Sequence, residues 1–303
     1  MAKFRSSSVV EPIHSAESIE ENEPEGGVLD RSIGSIISEL RDLSTDQVEQ
    51  ILAYQQQHGV RFGEAAVALG LVSNDDVLQA LSQQFHYPYA PKRADNQELV
   101  VLTQPFSVQA EAFRAIRSQI TMRLNHEGEQ RKALAIISPD TMDGKSFFAA
   151  NLAVALAQLG SRTLLVDADM RGPRQHQIFE VPNKTGLSSV LSGRTSTQVI
   201  QQVEGVPGLF VMPVGVTPPN PLELVERPAF GLLMRELLNK FDYVLVDTPA
   251  AQYGADASVI AARCGAALVL ARNNESRVAD LVDLVGSFEN CPVRITGVVM
   301  NEF

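Results

Sequence analysis

The run Ala133-Leu134-Ala135-Ile136-Ile137-Ser138-Pro139-Asp140-Thr141-Met142-Asp143-Gly144-Lys145-Ser146 decides how the chain is read. Its apolar start is a strand, its Pro, Asp and Gly residues close a turn, and a helix follows that Gly160 ends as a C′ residue. Strand, loop and helix come in the order a phosphate-binding loop needs; the alternative for a bare Gly-Lys-Ser after a strand is a turn with a helix cap. Such a loop needs backbone N–H groups at a helix N-terminus, a Lys reaching β/γ oxygens and a hydroxyl for a magnesium ion. Gly144, Lys145 and Ser146 supply the last part of this. Pro139 stands where the common pattern has Gly, and Met142 takes a place suited to a flexible residue.

Outward from this loop, the apolar run Thr163 to Val166 ends in Asp167-Ala168-Asp169-Met170-Arg171, and Tyr243 to Val246 ends in Asp247-Thr248-Pro249. One strand-terminal Asp commonly caps its own loop. Several acidic strand ends beside a Lys point instead to one phosphate site, because open α/β sheets bind ligands at the carboxyl ends of their strands. Further runs, Leu209 to Met212, Ala266 to Leu270 and Ile295 to Met300, alternate with amphipathic segments. Continuous apolar runs between helical patterns mark a parallel sheet buried on both faces. The expected class is α/β, a doubly wound, mostly parallel P-loop NTPase domain preceded by a small helical tandem-repeat domain.

Size and charge narrow the function. The 303 residues, 45% hydrophobic, suffice for a domain of roughly 200 residues and a smaller one. A formal charge of -11 repels nucleic-acid phosphates and anionic lipid, so no nucleic-acid partner is expected. Cys264 and Cys291 lack metal-ligand spacing and lie in or beside apolar runs, as reduced thiols of a cytoplasmic protein do. No apolar stretch approaches the roughly 20 residues of a membrane helix, and the first 18 residues lack the apolar core of a signal peptide. Direct membrane insertion is therefore not expected.

Residues 1–28 are rich in Ser, Glu and Pro, too polar to bury a core, and are expected to form a disordered tail. From Ser32 to Gln84 the sequence repeats at an offset of 29 residues: Ile33-Gly34 returns as Phe62-Gly63, Leu43 as Val72, Val48 as Val77, Ile51-Leu52 as Ala80-Leu81, and Gln55 as Gln84. Each copy reads as helix, turn, helix, with Ser44 and Ser73 capping the second helices. The expected organisation is a helical domain over 29–90, a linker over 91–104 and the P-loop domain over 105–303, which opens with a helix through Val108, Phe113, Ile116 and Ile120.

Ser138 to Ser146, Asp167-x-Asp169-x-Arg171 and Asp247-Thr248-Pro249 resemble the Walker A, Walker A′ and Walker B motifs of bacterial tyrosine kinases. The likeness covers about residues 104–303. It extends to Glu111-x-x-Arg114-x-x-Arg117, similar to the segment by which those kinases pack into rings, and to Pro218-Pro219-Asn220-Pro221-Leu222-Glu223-Leu224. It looks like the EpsG-type kinases of exopolysaccharide chain-length control.

This resemblance implies ATP and Mg²⁺ as cofactors. Lys145 would contact the β/γ-phosphates, Ser146 and Asp169 would hold the metal, Asp247 would order its water shell, and Asp167 would be the base. Arg171 would steady the transferred charge or structure its loop. Asp143, Gly144 and Phe147 belong to the ATP loop, while Asn301 and Arg272 would lie near adenine. The resemblance also implies a homo-oligomer built through Glu111, Arg114 and Arg117, held at the inner membrane by a chain-length determinant protein, a polysaccharide co-polymerase. The Tyr-rich tail of many such kinases is missing before Phe303, and the tyrosines are Tyr54, Tyr87, Tyr89, Tyr243 and Tyr253. The alternative is an ATP-operated scaffold that regulates export without phosphorylating tyrosine.

The tandem units, with Arg61-Phe62-Gly63 and Gly70 in the second copy, resemble the N-terminal domain of type II secretion and pilus ATPases. Some of those bind cyclic di-GMP, for which Arg suits the phosphates and Gln the guanine edges. By that resemblance Arg31, Gln55, Arg61, Gly63 and Gln84 would be its ligands. The first copy departs from the pattern, with Ser32 where Arg would be and Arg41 where Gly would be. A helical docking module is the alternative.

Overall fold

The computed structural model describes residues 32–84, 98–124, 130–194 and 198–302. The expected tail, Arg31, Tyr87 and Tyr89 lie outside the described residues. The helical module has four helices, α1 (Ile33–Arg41), α2 (Thr45–His58), α3 (Phe62–Ala68) and α4 (Asn74–Gln84), in the two helix-turn-helix copies that the repeat predicts. Ser32 Oγ accepts from Ser35 N, and Ser44 Oγ from Gln47 N, each at 3.3 Å. At α4 the box is reciprocal: Asp76 N donates to Ser73 Oγ at 3.2 Å and Ser73 N to Asp76 Oδ2 at 2.8 Å.

Ile36, Ile37, Ile51, Ala65, Ala66, Val72 and Ala80 make the module's core. A Cβ at Gly63 would stand 2.8 Å from Val77 Cγ1, so the glycine is what lets α3 close on α4. Arg41, the residue that breaks the repeat, places its Nε 2.8 Å from Asp76 Oδ2 and ties α1 to α4.

The larger part runs α5 (Val100–Thr103), α6 (Val108–Leu124), β1 (Ala133–Ile137), α7 (Lys145–Ala157), β2 (Thr163–Asp167), α8 (Gln175–Ile178), α9 (Leu187–Leu191), β3 (Gln201–Gln202), β4 (Leu209–Met212), α10 (Pro221–Glu226), α11 (Pro228–Lys240), β5 (Tyr243–Asp247), α12 (Asp256–Cys264), β6 (Gly265–Arg272), α13 (Val278–Gly286) and β7 (Arg294–Asn301). The strands form one sheet in the order β3-β4-β2-β5-β1-β6-β7. All neighbours pair in parallel except β3, a two-residue edge strand antiparallel to β4. Pleating sends Leu134 and Ile136 into a core under α5, α6 and α7, and Ala133, Ala135 and Ile137 into a second core under α10, α11 and α12. This is the doubly wound P-loop NTPase fold.

Two expectations change. Residues 98–103 are not linker, because Leu99, Val100, Val101 and Leu102 are buried in the core beside α7. Asn151 of α7 locks them there: its Oδ1 accepts from Val101 N at 3.0 Å and its Nδ2 donates to Glu98 O at 2.7 Å. An apolar run this short shows no period that would set it apart from the polar residues before it. Helix α7 ends at Ala157, and Gly160 carries the left-handed turn beyond it with φ +82°. No described helix is long and apolar enough to cross a membrane.

Candidate nucleotide site

The loop after β1 delivers Gly144 as the N-cap of α7 with φ +93°. Met142 is also left-handed, at φ +63°, where a non-glycine residue costs about 1–2 kcal/mol. Strain therefore sits where the sequence lacks a flexible residue. Lys145 opens α7 and is buried, its Nζ donating to Ser138 Oγ at 3.0 Å and Asp140 O at 3.2 Å. Burial lowers its pKa, while the carboxylates of Asp247, Asp169, Asp143 and Asp140 pull the other way. The Asp143 side chain braces the loop, accepting from Asp140 N at 3.0 Å and Ser276 Oγ at 3.1 Å, and its carbonyl accepts from Asn301 Nδ2 at 3.0 Å. Any contribution of Asp143 to a phosphate comes from its backbone.

Parallel register sets Asp167 directly beside Asp247, at the ends of β2 and β5. Both are fully buried. Asp167 Oδ1 accepts from Asp169 N at 3.2 Å, and its Oδ2 accepts from Arg174 N at 3.2 Å and Gln175 N at 3.0 Å. Burial raises the Asp167 pKa well above the carboxylate range, and the Asp247 charge adds to this; the Gln175 and Asp169 N–H bonds oppose it. Asp247 is pushed up to about 6 by burial, with hydrogen bonds from Gln175 and Ser146 restraining the rise.

Gln175 is a residue of the candidate site that the sequence motifs do not mark. It is fully buried, and its Nε2 donates to Asp247 Oδ2 at 2.7 Å and to Ser146 O at 3.0 Å. One Gln in a polar loop carries no signal; only the fold brings it between two motifs. Asp247 Oδ1 is buried with no partner among the described atoms, a position suited to the water shell of a cation. No three His, Cys, Asp or Glu side chains among the described residues form a cage for a metal. Mg²⁺ binds through one or two carboxylates, waters and phosphate oxygens, so Ser146, Asp169 and Asp247 fit it.

A cleft of about 590 Å³ has Gly144, Lys145, Ser146, Phe147, Asp169, Arg171 and Asn301 in its wall, while Asp143, Asp167, Gln175 and Asp247 are not part of that wall. Arg272 is absent from that wall, and its N–H bonds Ser276 Oγ at 2.7 Å. Phe147 also packs on Phe113, with ring centroids 6.0 Å apart. Asp169 Oδ1 accepts from Arg171 N at 3.1 Å and Gly172 N at 2.9 Å. The Arg171 side chain reaches Asp256 Oδ2 at 3.0 Å.

The other expected residues lie apart from the cleft wall. Arg114 pairs with Glu111 and with Pro105 O, and Arg117 Nη1 donates to Ala155 O at 2.9 Å, so both arginines fasten α6 to its own chain. Glu111 remains 65% exposed. In the helical module, Arg61 N donates to Glu64 Oε2 at 3.0 Å as the start of α3, while Gln55 and Gln84 lie on α2 and α4, both half-buried.

A family model described as ParA, the NUBPL iron-transfer P-loop NTPase, matches residues 129–302. CapB of Staphylococcus aureus, which bears a tyrosine-protein kinase name, is 38% identical over 216 residues, covering 70% of this chain and 92% of that protein. The tyrosine-protein kinase ptk of Acinetobacter johnsonii is 31% identical over 70% of this chain, which spans only 28% of that longer protein. The solved kinase domain of the Escherichia coli tyrosine kinase ETK is 31% identical and superposes with a TM-score of 0.64, over 67% of this chain and 79% of that one.

Proposed function

The chain belongs to the family of bacterial tyrosine-protein kinases, and from that premise we propose that it transfers the γ-phosphate of Mg²⁺-ATP to protein tyrosine in the control of exopolysaccharide chain length or export. The observation that carries this reading is the buried pair Asp167 and Asp247 in register beside Lys145, with one Asp247 oxygen left for a metal's water. Lys145 contacts the β/γ-phosphates. Ser146 and Asp169 would hold Mg²⁺, which would supply charge neutralisation to the phosphates. Asp247 orders the surrounding water, and Asp167, at the end of the neighbouring strand, is the base. Gly144 and the backbone of Asp143 and Phe147 cradle phosphate, and Asn301 lies toward adenine. Arg171, tied to Asp256, shapes the loop that carries Asp169.

Self-association through the start of α6, where Glu111 is exposed, and docking on a membrane chain-length determinant belong to the same reading, as does a cytoplasmic place peripheral to the inner membrane. The comparisons lend no support to cyclic di-GMP. The packing of Gly63 on Val77 favours the docking-module reading of the helical repeat.

The test is incubation with ATP labelled at the γ-phosphate, with and without the cytoplasmic segments of the cognate membrane protein, beside Lys145→Met. Phosphotyrosine that forms in the unsubstituted chain and is absent in Lys145→Met is the expected result. ADP formation with no phosphotyrosine under either condition would leave an ATP-operated scaffold in place of a kinase.

A further inference from the structure

Three tyrosines fall within the described residues, and they differ in surroundings. Tyr54 stacks on His58 with ring centroids 4.0 Å apart and packs on the helical core. Tyr243 packs against the sheet core at the start of β5. Tyr253 is 51% exposed and lines the same cleft as Lys145, Ser146 and Asp169. It closes a 3-10 turn, Ala251–Tyr253, that the phosphate loop itself holds: Ala251 N donates to Ser138 O and Gln252 N to Pro139 O, each at 3.0 Å. Gly254, at φ +132°, turns the chain away immediately afterwards. The Arg171 guanidinium stands 5.9 Å from the centre of the Tyr253 ring.

We propose that Tyr253 is a phosphoacceptor, modified within its own cleft by the nucleotide bound there. This rests on the kinase reading and adds to it the residue that receives the phosphate. Phosphoryl transfer asks for positioning and charge neutralisation more than for covalent help. The turn fixed to the phosphate loop supplies the first, and Lys145 in the same cleft supplies a cation for the transferring oxygens. The phenolic oxygen bonds to the γ-phosphorus while the bond from that phosphorus to the β,γ-bridging oxygen breaks. ADP leaves with the electron pair, and the phenolic proton passes to a carboxylate of the site and then to water. A tyrosine that lines the cleft of its own chain needs no second copy to reach the phosphate there, which points to transfer within one chain.

The experiment maps phosphotyrosine by mass spectrometry of peptides from the full chain after reaction with Mg²⁺-ATP, under the condition that gives turnover in the assay above, over a dilution series. The expected result is phosphate on the Tyr253 peptide, at a rate independent of dilution. Tyr253→Phe loses that phosphopeptide, and Lys145→Met stays unmodified at Tyr253 even when mixed with the unsubstituted chain. Phosphate confined to other tyrosines, a rate that falls on dilution, or modification of Tyr253 in the mixed Lys145→Met chain each overturns the proposal while leaving the kinase reading intact. ADP without any phosphotyrosine overturns both.

Discussion

Residue by residue, the site depends on carboxyls whose pKa burial raises. Asp247 stands at about 6, above its ordinary 3.8. A carboxyl raised in this way adds stability that is fully present below 3.8 and lost as pH rises through about 6. By this group alone the ligand-free chain gains stability on mild acidification, while His176, whose pKa burial lowers, pulls the other way as pH falls below its ordinary 6.5. Mg²⁺-nucleotide binding has the opposite slope, since it uses the ionised form, and should weaken as pH falls through about 6. Gln175→Leu removes a hydrogen bond that favours ionisation. It should move that weakening to higher pH and lower affinity at neutral pH by about 10–100-fold, the usual loss when an outer-shell partner goes. Calorimetric titration of Mg²⁺-ADP in a pH series reads both effects; an unmoved profile in Gln175→Leu would count against the coupling. Lys145, Asp167, Asp169 and Asp247 were legible in the sequence because each ends or follows an apolar run. Gln175 was not, because its role exists only where α8 meets β5. Nor could spacing show that Arg114 and Arg117 turn back onto Pro105 and Ala155.

Elements were legible in proportion to the strength of their period. The six apolar runs return as β1, β2, β4, β5, β6 and β7, each within a residue or two of its expected bounds. The two-residue β3 and the four-residue α5 have too few residues for a pattern, and α5 is held by Asn151 and burial more than by its own propensity. In the helical module the tandem repeat gave all four helices, while the value of Gly63 lies in what it lacks. Gly63→Ala forces a methyl against a stiff β-branched neighbour, at about 1–3 kcal/mol. Hydrogen exchange should quicken in α3 and α4 and stay unchanged in α7. Adding Val77→Ala in the same chain should recover part of the loss; no recovery would place the strain elsewhere.

For the molecule as a whole, the start of the P-loop part is a measurable property. A chain beginning at residue 98 keeps Leu99, Val100, Val101 and Leu102 in the core, whereas one beginning at 105 exposes the surface they cover. Each such side chain is worth about 1.5–3 kcal/mol when buried, against a total stability of about 5–15 kcal/mol for a typical domain. The first chain should melt cooperatively and bind Mg²⁺-ADP; the second should melt far lower or fail to fold. Equal melting of the two would return residues 98–104 to the linker. Asp167 and Asp247 face each other only because β2 and β5 are counted off together from their first paired residues, Thr163 and Tyr243. Side chains alternate faces along a strand, so one residue inserted or deleted within β5 would send its terminal carboxylate to the other side of the sheet. The strand can therefore exchange one apolar letter for another, but a change in their number between Tyr243 and Asp247 would cost the site its carboxylate.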